Sequence, residues 1–328
     1  MPRQARLDAP GALHHVIIKG VEGRKVVNND QDREKFVSRL GNVATETGAS
    51  IYAWALMNNH AHILMRSGPS GLSRFVKRLL TSYAINYNRQ HRRHGRLFQD
   101  RYKSIVCEEK PYLKELARYI HLNPLRAKLV DSLAGLDRYR WSGHSVLMGR
   151  IRKGWQDRDY LLKQFGTTES EAKKAYRQFV KKGIDQGRRP DLSGGGLIRS
   201  KGGWSEVKAM RRSGVREKSD ERILGSGKFV KKLIQQSAKF KKRRFSPGEA
   251  LKRAALLIDK TCEKEGISVE ALKRGNRPHE VSKIRAKLAG KLVQDLGLSL
   301  IETGHQLGVS GSAISVALRR LDEKNRDR

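Results

Sequence analysis

Two apolar runs, residues 49–57 and 61–65, are separated only by Asn58-Asn59-His60. Runs of this length read as strands, and an Asn pair accommodates the backbone of a tight reversal, so the two runs are expected to form a β-hairpin. The elements around it follow from the same kind of pattern. Residues 13–19 place β-branched Val16, Ile17 and Ile18 ahead of Gly20 and read as another strand. Residues 30–47 read as a helix, with Phe36, Val37, Leu40 and Val43 at helical spacing and Gly48 at the stop. Residues 71–88 carry Leu72, Phe75, Val76, Leu79, Leu80 and Tyr83 on one side of a second helix. A strand is expected around 102–107 and a third helix over 111–123, with Pro111 in its first turn and Pro124 ending or kinking it at Asn123. Strand, helix, strand, strand, helix, strand is the order of a ferredoxin-like α+β antiparallel sheet. The fold by itself does not specify a function.

Charge narrows the partner. Across 328 residues, 69 Lys and Arg stand against 33 Asp and Glu, a formal charge of +36. Solubility needs far less, so a polyanion is implied. Nucleic acid is favoured over membrane, because the excess is spread along the chain without a basic amphipathic anchor or a lipidation signal. A ribosome-like structural protein is the bland alternative. Only Cys107 and Cys262 are present, which excludes a disulfide scaffold. No apolar run reaches the length of a membrane span and residues 1–8 lack a signal-peptide stretch, so a soluble cytoplasmic protein is expected.

Beyond about Trp141 the strand signals fade and basic helical patches take over. Residues 186–203, with Gly194-Gly195-Gly196 and Gly202-Gly203, read as linker. Ser246-Pro247-Gly248-Glu249 then has the pattern of a helix start. These shifts divide the chain into an α+β N-terminal domain (1–146), a basic helical connector (147–245) with a Gly-rich linker and an all-α C-terminal domain (246–328). In the last of these, residues 301–320 read as a helix-turn-helix: Gly304 at the crossing, Gly308 in the turn, and Ser310 capping a helix that carries Ser312, Ser315, Arg319 and Arg320. An ordinary small helical bundle would show much of the same pattern.

Chemistry concentrates at His60-Ala61-His62. Alternate residues of a strand share a face, so two imidazoles converge there while Ala61 points to the buried side. Such a pair can hold a metal ion. Tyr119 and Asn123 stand four apart on the third helix and share a face of it. If that face covers the histidines, Asn123 supplies an oxygen ligand and Tyr119 a phenol, whose ordinary pKa of about 10 a nearby cation would lower. A core aromatic and a surface His pair would look the same. His14 and His15 are read as structural or DNA-facing rather than as ligands.

Three ordered blocks carry a resemblance: Leu56-Met57-Asn58-Asn59-His60-Ala61-His62-Ile63-Leu64, Gly95-Arg96-Leu97-Phe98-Gln99-Asp100-Arg101-Tyr102, and Tyr119-Ile120-His121-Leu122-Asn123-Pro124-Leu125-Arg126-Ala127. Over residues 1–146 the chain resembles the REP-associated tyrosine transposases, single-tyrosine members of the HUH nuclease superfamily. The resemblance implies cleavage of single-stranded DNA beside hairpins of repetitive palindromes, through a 5′-phosphotyrosine. It implies Tyr119 as nucleophile, His60, His62 and Asn123 as ligands, and a divalent ion such as Mg²⁺. A two-His site suits Mn²⁺ as well or better. The segment from Ile267 onward is similar to the DNA-binding domain of the bacterial initiator DnaA, which implies a duplex DNA partner.

Expected DNA contacts are Arg89, Arg92, Arg93, Arg96 and Arg101 in the basic loop region, Lys241, Lys242, Arg243 and Arg244 in the connector, and Ser312, Ser315 and Arg319 in the C-terminal domain. Tyr87, Tyr102, Trp141 and Trp155 could stack on bases but more commonly build cores. Gly225-Ser226-Gly227-Lys228 lacks the spacing of a phosphate loop. Competing with the enzyme are a non-catalytic regulator that binds DNA through the helix-turn-helix and, on charge and fold alone, an RNA-binding protein.

Overall fold

The computed structural model describes residues 7–99, 102–187, 189–213, 217–242, 247–274 and 279–324. The hairpin is formed by β2 (Ser50–Leu56) and β3 (His60–Arg66), with β1 (Leu13–Lys19) on the far side of β3 and β4 (Lys103–Cys107) beyond it. All three pairings are antiparallel, which gives the ferredoxin-like order β2-β3-β1-β4. A fifth strand, β5 (Ile223–Leu224), extends the sheet parallel to β4.

Alternation along the strands feeds two cores. Val16 and Ile18 of β1 and Ala61, Ile63 and Met65 of β3 face α1 (Asp30–Thr47) and α2 (Leu72–Gln90), packing on Phe36, Val37, Leu40, Phe75 and Leu79. Asn29 caps α1, its side chain accepting from the Asp32 amide, and Gly48 ends it at φ 65°. The opposite face presents Leu13, Ile17, Leu64 and Ile105 to α3 (Glu109–His121) and its Leu113, Leu116, Ala117 and Ile120. This helix begins two residues before Pro111, which still lies in its first turn and costs no hydrogen bond there. It stops at Leu122, and α4 (Asn123–Arg126) follows with Pro124 in its first turn.

The residues after α4 close both edges of the sheet. Helices α5 (Leu133–Arg138), α6 (Gly143–Leu147), α7 (Arg158–Leu162) and α8 (Glu169–Lys181) pack on the α3 side. Between them the chain runs along β2, where Ala55 bridges Ser142, Ile51 bridges Gln156, and Gln156 accepts from Trp54 Nε1 at 2.8 Å. Within residues 186–203, expected as linker, the described residues 189–200 instead pack in part against the sheet. Pro190–Ser193 forms a short 3₁₀ turn that buries Leu192, α9 (Leu197–Lys201) follows, and the Gly195 and Gly196 amides donate to the Glu221 and Ile223 carbonyls. Glycine serves close approach here, since a Cβ on Gly195 would stand 2.5 Å from the Ile223 backbone.

Helices α10 (Trp204–Arg212) and α11 (Gly227–Lys242) complete this region; Val230 and Leu233 of α11 pack with Leu7, Val106 and Ile223. The remaining helices are α12 (Pro247–Lys264), α13 (Val269–Lys273), α14 (His279–Gln294), α15 (Leu300–Leu307) and α16 (Gly311–Lys324). They bury their own core of Ala254, Ile258, Leu272, Leu288, Leu292, Leu307, Ile314 and Leu318. Helices α15 and α16 also lie against α1, and Arg74 pairs with Glu302 at 3.4 Å. Among the described residues, no helix is long and apolar enough to cross a membrane.

Candidate active site

Strand register gathers the histidines. In the antiparallel pairing of β1 with β3, Lys19 stands opposite His60, Ile17 opposite His62, and His15 opposite Leu64. His15, His60 and His62 therefore lie on the α3 side of the sheet, with Lys19 and, across β1 from Ile17, Lys103 on the same face. The ring centroids of His60 and His62 are 5.2 Å apart, and those of His62 and His15 are 5.1 Å apart.

Tyr119 projects from α3 onto this group. Its ring lies edge-on to His62 at 5.9 Å and to His15 at 6.0 Å. The Arg126 guanidinium stands 5.3 Å from the centre of the Tyr119 ring, donates from Nη1 to the Tyr119 carbonyl at 3.3 Å, and donates from Nη2 to the Gly183 carbonyl at 3.4 Å. Leu122 retains right-handed helical backbone (φ −81°, ψ −10°), so Asn123 follows Tyr119 by about one helical turn. The Asn123 side-chain nitrogen is buried without a hydrogen-bond partner.

The imidazoles are neutral near pH 7, each for a physical reason. Burial pushes His15 down to about 4, against the pull of its bond to the Leu192 carbonyl. Burial, helped by the charge of Lys19, brings His60 down to about 4. His62 lies well below the ordinary range, through burial first and then through His15, His60 and Lys19. Neutral rings are what metal ligation requires. His15 Nε2 is already engaged with His62 Nδ1 at 2.9 Å, which removes it as a third ligand. Among the described residues, no group of three or more His, Cys, Asp or Glu side chains is placed to hold a metal ion. Any further ligand must therefore come from an amide, a backbone carbonyl, solvent or substrate.

The far side of α3 is locked by a separate buried network. His121 shares a 2.6 Å hydrogen bond between Nδ1 and the Tyr176 hydroxyl, and its ring lies 5.7 Å from that of His144. The His144 Nε2 bonds Asp137 at 2.8 Å, and Arg177 Nε donates to the other Asp137 oxygen at 2.8 Å. Arg118 stacks on Phe179 at 4.1 Å and donates to Gln186 at 3.0 Å. Residues from α8 and the turn after it thus hold the helix that carries Tyr119.

The expected DNA contacts fall in several environments. Arg89, Arg92 and Arg96 are exposed at the end of α2 and in the loop after it, whereas Arg93 lies over the Tyr87 ring at 5.9 Å. His91 ties this loop to the buried Asp32 carboxylate at 2.9 Å. Arg101, Arg243 and Arg244 lie outside the described residues, as do the side chains of Lys241, Lys242 and Arg319. Ser312 is exposed on α16, Ser315 is half-buried, and Gly308 turns the chain between α15 and α16 at φ 68°. Tyr87 and Trp141 are core residues, and Tyr102 and Trp155 pack against the same core, so none of the four is an open stacking platform. His14 and His15 are both fully buried, which rules out a DNA-facing role and leaves the structural one. Sequence reasoning missed the His15–His62 contact, because it joins two strands whose relative register no local pattern reveals.

Residues 11–123 match the family model described as "Transposase IS200 like". A solved structure of a REP-associated tyrosine transposase bound to a REP hairpin is 15% identical, covering 48% of this chain and 90% of that chain at a TM-score of 0.39. No curated protein matches the chain.

Proposed function

We propose that this chain, whose residues 11–123 match the family model of IS200-like transposases, cuts single-stranded DNA by transesterification through Tyr119. The observation that carries the reading is the convergence of Tyr119 from α3 on His62 of β3, 5.9 Å between rings, with His60 beside it. A phenol, two neutral imidazoles and the Arg126 guanidinium make a site for phosphodiester chemistry rather than a packing cluster. The Tyr119 oxygen attacks the scissile phosphorus, a new bond forms between phosphorus and that oxygen, and the bond to the 3′-oxygen breaks. The 3′-oxygen leaves with a proton, and the DNA 5′-phosphate remains on the tyrosine.

His60 and His62 would hold a divalent ion, and Asn123 would add an amide oxygen. When bound, the ion polarises the phosphate and lowers the pKa of the attacking phenol. Mn²⁺ suits the two imidazoles, and Mg²⁺ the oxygen donors. Arg126 holds the helix end that carries Tyr119 through the tyrosine's own carbonyl and places a cation beside its ring. Lys19 and Lys103 add positive charge on the same sheet face, where the DNA backbone would lie.

The preference for a hairpin rests on the resemblance of the three sequence blocks to the REP-associated tyrosine transposases. The exposed Arg89 and Arg92, just before the second block, and Arg96 within it are the proposed hairpin contacts. The C-terminal helices, with Ser312 exposed on α16, are proposed as a duplex DNA reader. The test is a labelled single-stranded hairpin incubated with protein and Mg²⁺ or Mn²⁺, followed by a denaturing gel. Wild type is expected to form a covalent adduct and Tyr119→Phe none. An equal adduct with Tyr119→Phe, or none from wild type with any palindromic repeat, overturns the assignment.

A further inference from the structure

We infer that His15 is a positioning residue, tied to the carbonyl of Leu192, that fixes His62 in the tautomer whose Nε2 lone pair faces the proposed metal site; the inference rests on the metal reading above. The argument is a chain of donors and acceptors. A carbonyl oxygen can only accept, so the 3.1 Å contact between His15 Nδ1 and the Leu192 carbonyl places the proton of that ring on Nδ1. In a neutral ring the other nitrogen is then an acceptor. His15 Nε2 lies 2.9 Å from His62 Nδ1, so His62 must be the donor and carry its proton on Nδ1. The lone pair of His62 is left on Nε2.

The same outcome is reached independently at His60. The Asn59 side-chain amide donates from Nδ2 to the Gly23 carbonyl at 3.2 Å, which orients its oxygen toward His60. That oxygen lies 2.6 Å from His60 Nδ1, which must donate. Both ligand rings are thus held through Nδ1–H and offer Nε2. An oriented second partner of this kind sets the tautomer and direction of a metal-ligating imidazole. The two devices differ in reach. Asn59 is local to the hairpin, whereas His15 is anchored by a residue 177 positions away, on the 3₁₀ turn Pro190–Ser193. That turn is held in turn by buried Leu192 and by the Arg189 contact to Glu115 at 3.3 Å on α3, the helix that also bears Tyr119. The segment beyond the matched family region therefore contributes to the site through one carbonyl.

The test uses the full chain with ¹⁵N-labelled histidine, metal-free, and reads the His62 tautomer from long-range ¹H–¹⁵N ring correlations; a Mn²⁺ titration followed by electron paramagnetic resonance is run in parallel. Wild-type His62 is expected as the Nδ1–H tautomer. His15→Ala should lose that tautomer preference and weaken Mn²⁺ binding by about 10–100-fold. His15→Gln, whose amide can present an acceptor oxygen to His62 and a donor to Leu192, should restore both in large part. If wild-type His62 carries its proton on Nε2, the inference is overturned by that spectrum alone, whether or not His15→Ala folds. It is also overturned if His15→Ala keeps the wild-type tautomer, or if His15→Gln is no closer to wild type than His15→Ala. A wild-type protein with the expected tautomer but no Mn²⁺ binding would overturn the metal reading and leave the hydrogen-bond chain standing.

Discussion

Arg126 makes two different contacts with Tyr119, one to the ring and one to the backbone carbonyl. Losing it removes both a positive charge near the phenol and a tie on the helix end. Arg126→Gln is expected to slow adduct formation by about 10²-fold, in line with the loss of one charge-stabilising group. The slowing should be accompanied by a higher pH requirement, read from single-turnover rates between pH 6 and 9. An unchanged profile would assign Arg126 a packing role only. A second residue-scale consequence concerns buried histidines that are not themselves proposed ligands. Burial pushes His14 down to about 4, holds His121 well below its ordinary range, and lowers His144 despite the opposing pull of Asp137. In the unfolded chain these rings take up protons near pH 6.5. The unfolded state then binds more protons than the folded one, so stability is complete above about 6.5 and is lost as pH falls toward 4. The melting temperature at pH 5 should lie several degrees below that at pH 7.5. Equal melting temperatures at the two values would contradict neutral burial of these rings.

At the scale of elements, glycine decides two packings that no side chain could make. Gly41 of α1 lies under Trp155, which a Cβ would approach to 2.3 Å, so α1 carries the chain segment that covers the β2 edge directly against its backbone. Gly308 combines a left-handed φ of 68° with a position where a Cβ would stand 1.9 Å from the Lys273 carbonyl. Gly308→Ala should therefore destabilise the C-terminal helices by roughly 1–3 kcal/mol or more. Urea unfolding of the full chain would show it as an earlier transition. A shift within error would mean that the α15–α16 junction relaxes freely. The helix α3 has its own division of labour. Its core residues hold it to the sheet, His121 and Arg118 fasten its other side, and Tyr119 is left at the histidines.

For the whole molecule, the central result is that the ferredoxin-like sheet is not closed by its own six elements. Residues 141–157 run along β2, and β5 with α11 covers β4. A chain ending at 146 would expose the β4 edge and leave the α3 face without Tyr176, Val180 and Leu192. Such an edge is a template for association. A 1–146 fragment should therefore be poorly soluble or melt well below a 1–242 fragment, measured by size-exclusion chromatography and thermal melts. Equal behaviour would mean that the connector is dispensable. The charge of +36 also belongs to this scale. Affinity for a single-stranded hairpin should fall steeply with salt, by about 0.7 in log–log slope for each phosphate neutralised. A salt-independent affinity would remove the electrostatic basis of the proposed interface.

What was legible in the sequence was whatever depends on period and local turn chemistry. The six elements of the sheet, the hairpin at Asn58-Asn59 and the common face of His60 and His62 all follow from spacings of two, three or four residues, whereas the expected single helix through Tyr119 and Asn123 is divided, α3 ending at His121 and Asn123 opening α4. The tertiary structure decided what depends on register and on long loops. It brought His15 opposite Leu64 and beside His62, set Lys19 across from His60, turned a glycine-rich stretch into a packed support, and delivered the Leu192 carbonyl to the site. Those placements come from pairings between distant segments, where a shift of a single residue would turn every side chain to the other face and only the joint burial of two cores selects the register.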